Sequence, residues 1–594
     1  MSAPTSTTGE RICLTVLAAA CLAALAVVAV ANRCKPFIGT PDEAAYAHQA
    51  DRLLAGDGFT VSYVQHFFRA SDDIEHAEDH YGVGNGVLIA AAFGVLGRSE
   101  WTATVPTLAL GLLALPLLTY AAARRCGAGP WPAVGAGLFV LLCRPLLGLA
   151  HYALVDSQFT ACAVAAWVIA AGLEPTGRHR ATAPVAAGAL LGLAYYLKPA
   201  AFLLVPGLVA TVLLGGERSP ARKRLWGIAA LLCAFGLVIA PWLVRNAVVF
   251  GDPLYSANQY IGPGEDYRAD WVRSDFRRVW WAHEREPLVT TPRLVATYGW
   301  SRAADVALGR LSRGVGGDAR NPFIVLGASI ALLWRCRRLL SLGALVGSYT
   351  LLLGLLFPVH DRYLILVWPA AAAAGAAVVG AAIPALSHLH LGNGLKPIVS
   401  GAAGWRPWRT HSSRLAGAMH RAPTAPLRRG RGAGGEGLRA ALSAAIPIGL
   451  ALALSLPGLR LLRSEVRYHL SDGDAIGISA DEIATRRAAE WLGAALPVEA
   501  RVMVQDCWRT VYYAPQPVVN IPTDGPREVA AVIDRYRLDY IMLVPGGTYS
   551  RMIPYARAYL SEYPAEWRLA SATPGGVELW ERGQSLARED RDER

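Results

Sequence analysis

Residues 12–31 read ICLTVLAAACLAALAVVAVA, and residues 39–46, shortly after, read GTPDEAAY. The first stretch carries no charge and has the ~20 residues that a helix needs to cross a bilayer. The second sets two adjacent carboxylates, Asp42 and Glu43, at the start of a helical stretch just beyond the membrane surface. An anchored helix followed at once by acidic chemistry decides how the rest of the chain is read. Ala29-Val30-Ala31 resembles a signal-cleavage site, but the apolar run is longer than a signal core, so a retained helix is expected.

Similar runs recur near 101–123, 131–149, 153–172, 182–197, 200–215, 225–244, 322–334, 339–357, 363–383 and 441–460. Only helices and closed barrels satisfy their backbone in lipid, and these runs are too long and uniform for barrel strands. About eleven spans are therefore expected. Composition agrees. The chain has 594 residues, 53% apolar and 17% charged, against ~25% charged in soluble proteins. That excludes a mostly soluble enzyme, a disordered chain and a disulfide-stapled module. The fold class is an α-helical multi-spanning membrane protein with soluble parts attached.

The net charge of +12 is distributed by side. With the N-terminus cytoplasmic, the inner segments 1–11, 124–130, 173–181, 216–224, 335–338 and 384–440 hold 21 basic residues and four acids. The first outer loop, 32–100, holds ten acids and five basic residues. This is the positive-inside pattern. The basic residues sit between apolar blocks rather than on one face, so nucleic acid is not an expected partner. Residues 384–440, rich in Gly, Pro and Arg, read as a flexible cytoplasmic loop attracted to anionic membrane lipids. Most of the nine cysteines lie in apolar runs and give no disulfide framework.

Segment 85–98 is too short to span and reads as a helix on the outer interface. Past residue 461 the pattern changes. Helices over 481–496, 526–537 and 550–562 alternate with strands at Arg501–Val504, Asp539–Val544 and 577–581. This predicts a small α/β domain over 461–581 that the odd span count puts outside the cell, with a disordered tail at 582–594. It has no Gly-rich phosphate loop.

Taken by spacing alone, Asp42 and Glu43 suit a helix N-cap and a favourable helix-dipole contact as well as chemistry. Four further outer-side sequences carry polar residues at span ends. They are Leu154-Val155-Asp156-Ser157; Gly192-Leu193-Ala194-Tyr195-Tyr196-Leu197-Lys198-Pro199; Pro241-Trp242-Leu243-Val244-Arg245-Asn246 with Phe250-Gly251-Asp252-Pro253; and Asp361-Arg362-Tyr363-Leu364 with Pro369. Together with Asp42-Glu43-x-x-Tyr46, and in this order, they resemble the GT-C glycosyltransferases. The resemblance is to the bacterial family of protein O-mannosyltransferases and lipid A aminoarabinose transferases, glycosyltransferase family 39 and its relatives. It covers about residues 10–385 and, more loosely, the C-terminal domain. One departure bears on the acceptor side of the cleft: where the family has Tyr-Pro-Pro-Gly, this chain reads His80-Tyr81-Gly82-Val83-Gly84-Asn85-Gly86.

The resemblance implies a GT-C-like catalytic domain over 1–383 with outer loops 32–100 and 245–321, followed by the 384–440 loop and a last span at 441–460. It implies a plasma-membrane enzyme that moves a sugar from a polyprenyl-phosphate donor to a hydroxyl of a protein, glycolipid or cell-wall glycan. Asp42 is then the catalytic base, because a hydroxyl is a poor nucleophile until its proton is taken. Glu43, Tyr46, Asp156, Lys198, Arg245, Asn246, Arg362 and Tyr363 are the substrate-binding candidates. Lys198, Arg245 and Arg362 are cations at outer span ends, where a lipid phosphate lies and charge-assisted bonds are strong. Cations at such places also snorkel towards headgroups. The run Asp72, Asp73, Glu75, His76, Glu78, Asp79, His80 has residue types that hold divalent ions, although charge runs more often face water, and no metal is assigned. A lipid or polysaccharide transporter, or a non-catalytic scaffold for the C-terminal domain, are the readings from other classes. A transporter calls for ionisable residues at mid-membrane depth, where Arg144 is the one clear instance.

Overall fold

The computed structural model describes residues 7–35, 37–65, 73–172, 182–215, 220–257, 319–356, 361–391, 433–456, 480–523, 525–573 and 575–583, with scattered positions at 299–312 and 458–463. The tail past 583, residues 392–432 of the basic loop, the middle of the 245–321 loop, and Asp72 lie outside the described residues.

Each expected apolar run is helical over most of its described residues. In chain order the helices are α1 (Thr7–Arg33), α2 (Pro41–Ala55), α3 (Val83–Leu96), α4 (Glu100–Arg125), α5 (Pro130–Leu142), α6 (Asp156–Ala171), α7 (Thr182–Leu197), α8 (Pro199–Gly215), α9 (Ala221–Phe250), α10 (Arg320–Leu332), α11 (Arg337–Leu356), α12 (Val367–Leu391) and α13 (Ala433–Leu454). Four stretches, Thr8–Arg33, Glu100–Arg125, Ala221–Phe250 and Arg337–Leu355, are long and apolar enough to cross a membrane. The others, apart from the polar α2, hold shorter apolar stretches.

Two readings are corrected. The run at 131–149 is not one helix: it breaks at Cys143, which has extended backbone (φ −74°, ψ 134°), and resumes as Arg144–Leu149. Pro145 explains the break, since proline removes an N–H and its ring would clash with the preceding turn. Arg144 thereby stands exposed at a helix start rather than inside a continuous helix. The loop at 384–440 is helical at both ends, because α12 runs to Leu391 and α13 begins at Ala433.

Small residues bring the helices together. Gly188 and Gly192 of α7 form a Gly-x-x-x-Gly face against α9. A Cβ at Gly188 would lie 2.2 Å from the Leu231 carbonyl oxygen. Lipid offers no hydrophobic drive for helix association, so such close backbone approach supplies the contact. Leu237 and Val248, on other faces of α9, are exposed, as lipid contact requires.

Outside the bundle, β1 (Thr60–Val61) pairs antiparallel with β3 (His76–Ala77). The second sheet contains β2 (Tyr63–Val64), β4 (Val502–Val504), β5 (Val518–Asn520), β6 (Tyr540–Leu543), β7 (Trp567–Ala572) and β8 (Glu578–Arg582), in the order β2-β5-β4-β6-β8-β7. β4, β5 and β6 are parallel and buried, which suits their Val- and Met-rich sequences. Helices α14 (Ala480–Ala495), α15 (Cys507–Tyr513), α16 (Pro526–Tyr536) and α17 (Ile553–Glu562) complete this α/β unit. β2 belongs to the first outer loop yet pairs in parallel with β5. One apolar core runs through Ala44, Ala45 and Ala47 of α2, Ile89 and Phe93 of α3, and the C-terminal sheet. The loop bearing Asp42 and the C-terminal unit therefore fold as one body above the helical bundle.

Candidate active site

The site begins with the turn that starts α2. Thr40, not Asp42, caps the helix. Its hydroxyl accepts from the Glu43 N–H at 3.3 Å, and Glu43 Oε1 accepts from the Thr40 N–H at 2.8 Å. This reciprocal pair is a capping box, followed by Pro41 at the first helical position where its missing N–H costs nothing. Gly39 makes the turn at φ +81°. A Cβ there would also sit 2.1 Å from Glu43 Oε1. Asp42 is thus released from capping, and its carboxylate is 25% exposed at the corner of the first turn.

Asp42 meets two partners. The Tyr81 hydroxyl donates to its Oδ1 at 3.1 Å, and Arg362 Nη1 pairs with its Oδ2 at 2.7 Å. Arg362 and Tyr363 are consecutive on the 3₁₀ turn Asp361–Leu364. The turn aims Arg362 at Asp42 and Tyr363 at Lys198, whose Nζ stands 3.8 Å from the Tyr363 ring centroid. Lys198 Nζ in turn donates to Asp156 Oδ1 at 2.9 Å. Asp156 opens α6 and is 3% exposed. Two cation–carboxylate pairs are therefore linked through one tyrosine ring. Tyr46 lies beside them, its ring 5.2 Å from Tyr81. Burial pushes the Tyr46 phenol well above its ordinary range, with Asp42 and then Asp156 adding to the shift. Tyr46 stays a neutral hydroxyl.

Three candidates stand elsewhere. Glu43 is fully buried and its carboxylate is committed: Lys35 Nζ pairs with Oε2 at 2.7 Å, and the Ala153 N–H donates to the same oxygen at 2.9 Å. Lys35 also donates to the His151 carbonyl at 3.0 Å. Glu43 is a bolt between α2 and the approach to α6. Arg245 donates to Asn246 Oδ1 at 2.9 Å and to the Phe59 carbonyl at 3.4 Å, with its guanidinium over Trp242 and Phe250. Asn246 donates to the Tyr255 carbonyl. These two fasten the end of α9 to the outer loop, and the acids that act electrostatically on Arg245 are Glu78 and Asp79.

Two contributors escape the sequence reading. Tyr81 follows the acidic run and carries no helix-end signature, and only the departure at His80–Gly86 marks it. Tyr349 of α11 is 1% exposed, packs 5.7 Å from Phe159, and lies within electrostatic reach of Lys198, Asp156 and Tyr363. Inside an apolar span its phenol reads as core.

The acidic run is dispersed by its own bonds. Asp73 accepts from the Ile74 N–H and pairs with Arg501 at 3.4 Å; Glu75 pairs with Arg52 at 3.2 Å. Glu78 is buried and accepts from the His80 and Tyr81 N–H groups at 2.7 and 2.8 Å and from Gln49 at 2.8 Å. Glu78 thus holds the backbone of Tyr81, whose hydroxyl reaches Asp42. Among the described residues no group of three His, Cys, Asp or Glu side chains is arranged to hold a metal ion.

No protein-family model matches the chain, and no curated protein matches it in sequence. Solved structures do match in fold. ArnT from Cupriavidus metallidurans bound to undecaprenyl phosphate superposes with a TM-score of 0.51 at 16% identity, over 98% of this chain and 99% of that one. Its apo state gives 0.52 at 15% identity, over 96% and 98%. The archaeal oligosaccharyltransferase AglB from Archaeoglobus fulgidus, in complex with an inhibitory peptide and a dolichol-phosphate, gives 0.50 at 12% identity, over 95% of this chain and 74% of that one. The chain shares the fold of these proteins.

Proposed function

We propose that this protein is a membrane glycosyltransferase that takes a sugar from a polyprenyl-phosphate donor and passes it to a hydroxyl on the outer face. The observation that carries the reading is the linked cluster Asp42–Arg362–Tyr363–Lys198–Asp156, set at the end of the bundle beneath the outer loop and the C-terminal unit. The GT-C fold supports it, as does the undecaprenyl phosphate bound by ArnT and the dolichol-phosphate bound by AglB.

In this mechanism the donor phosphate draws Lys198 and Arg362 away from full engagement with Asp156 and Asp42. Phosphate is then the leaving group, and two cations stabilise its developing charge without any general acid. Asp42, relieved of Arg362, takes the acceptor hydroxyl proton. The acceptor oxygen attacks the anomeric carbon opposite the phosphate, the carbon–oxygen bond to phosphate breaks with its electron pair, and the configuration inverts. Tyr81 orients Asp42, and the neutral Tyr46 hydroxyl offers a hydrogen bond to sugar or acceptor. The proposed topology has eleven spans, a cytoplasmic N-terminus and an extracytoplasmic C-terminal unit. The acceptor is a hydroxyl of a protein, a glycolipid or a cell-wall glycan.

The test uses the purified protein in liposomes with polyprenyl-phosphate mannose, arabinose and aminoarabinose, each labelled in the sugar. One donor is expected to be consumed. Lys198→Ala and Arg362→Ala should each slow transfer about ten- to a hundred-fold, the worth of one charge-assisted hydrogen bond at ~1.5–3 kcal/mol. Arg245→Ala, which sits apart, should cost less than either. Equal losses at all three, or full activity in Lys198→Ala, would refute the phosphate grip.

A further inference from the structure

We infer that Arg509 of the C-terminal unit is a positioning residue for Asp42, gripping the turn that starts α2 and so fixing where the Asp42 carboxylate stands. The inference rests on the reading of Asp42 as the base, and it gives the C-terminal unit a part in the chemistry.

Arg509 Nε donates to the Gly39 carbonyl at 2.6 Å, a contact across 470 positions of sequence. Its side chain is only 8% exposed. Nη1 pairs at 2.7 Å with Asp506, whose carboxylate is fully buried and caps α15 through the Arg509 N–H at 3.2 Å. Thr548 donates to the same carboxylate at 2.5 Å, and Glu482 lies 3.7 Å from Nη2. A planar guanidinium held on several nitrogens cannot swing as a lysine would. Its charge also lies 5.3 Å from the Phe37 ring centroid, and Phe37 stacks on Tyr513 at 5.9 Å. The Tyr513 hydroxyl accepts from the Ile38 N–H at 2.8 Å. One short helix thus holds Phe37, Ile38 and Gly39 in succession.

Only Thr40 and Pro41 separate this grip from Asp42, and neither is free: Thr40 is locked in the capping box and Pro41 has a fixed φ. On the opposite side Lys35 and Glu43 bind the same turn to the bundle through His151 and Ala153. The turn is clamped between bundle and C-terminal unit, so a shift at Gly39 is passed on to Asp42. A displacement of 1 Å at a reacting group costs on the order of 10²-fold in rate.

Two readouts on the full-length protein in detergent test this. In Arg509→Ala, deuterium uptake should rise in peptides covering residues 37–46 and stay unchanged in those covering Val502–Val504 and Val518–Asn520. Tyr513→Phe, which keeps the ring stack and releases only the Ile38 N–H, should give a smaller rise in the same peptides. With polyprenyl-phosphate sugar, Arg509→Ala should lower kcat about ten- to a hundred-fold while donor KM stays within about twofold. In an Asp42→Asn background it should cost nothing further, because no base remains to be positioned. Uptake rising throughout the C-terminal sheet, no rise at 37–46, or an equal rate loss in both backgrounds would overturn the inference. A wild type that consumes no donor sinks the transferase reading instead, and the exchange measurement still decides the grip.

Discussion

Asp42 and Glu43 are neighbours in sequence with opposite assignments. Consecutive helical residues point ~100° apart, and here that angle separates a partly exposed carboxylate facing Tyr81 and Arg362 from one sealed against Lys35, Ala153 and the capping box. Glu43→Gln should therefore act on stability. It leaves Lys35, 12% exposed, facing a neutral amide, and breaking a buried pair costs about 3 kcal/mol or more. Thermal unfolding in detergent should shift down markedly, while transfer per folded molecule changes only a few-fold. Unchanged melting with a hundred-fold loss of transfer would put Glu43 in the chemistry. Asp156, Lys198, Arg362 and Tyr363 were legible because a polar residue at a span end departs from its surroundings. Tyr81 and Arg509 were not, since both act through contacts that only the packed outer body creates. Arg245 carries the same span-end signal as Lys198 but is turned towards Phe59 and Asn246. Local sequence places a cation at a depth and leaves its direction to tertiary contacts.

Among elements, the α7–α9 contact has the sharpest requirement. Its position matters because α7 ends at Leu197, directly before Lys198. Gly188→Leu would drive a side chain into the Leu231 backbone, where even a Cβ has only 2.2 Å. Overpacking typically costs ~1–3 kcal/mol, and a backbone clash belongs at or above the top of that range. Gly236→Leu, on α9 itself, meets nothing within 4 Å and is the control. Gly188→Leu should lower the melting temperature and the yield of monodisperse protein, and Gly236→Leu should leave both unchanged. Equal behaviour of the two would mean that the helices do not touch there. Helix existence was readable from apolar runs, and strands β4, β6 and β8 from alternation and length. β5 and β7 were hidden because their sequences carry no distinctive pattern. β2, two residues of the first outer loop, follows the strand-like Phe59-Thr60-Val61-Ser62, but nothing local names its partner, which is supplied by the far end of the chain.

At the scale of the whole molecule, the charge asymmetry and the packed outer body make one claim: the reacting groups and the C-terminal unit share a side of the membrane. A reporter fused after Arg463 should be extracytoplasmic, and one inserted within 400–430 cytoplasmic. A cytoplasmic C-terminal reporter would contradict the eleven-span topology. The central claim, though, is that Asp42 is a base and not a structural carboxylate, now that Thr40 is seen to cap the helix. The most direct test reconstitutes wild type and Asp42→Asn with a labelled polyprenyl-phosphate sugar and measures donor binding and transfer on the same preparation. Asparagine keeps the size and can still accept from Tyr81. The account predicts intact folding, retained donor binding and transfer slowed by ~10²–10⁴-fold, the usual worth of general-base catalysis. Transfer by Asp42→Asn at the wild-type rate would contradict it.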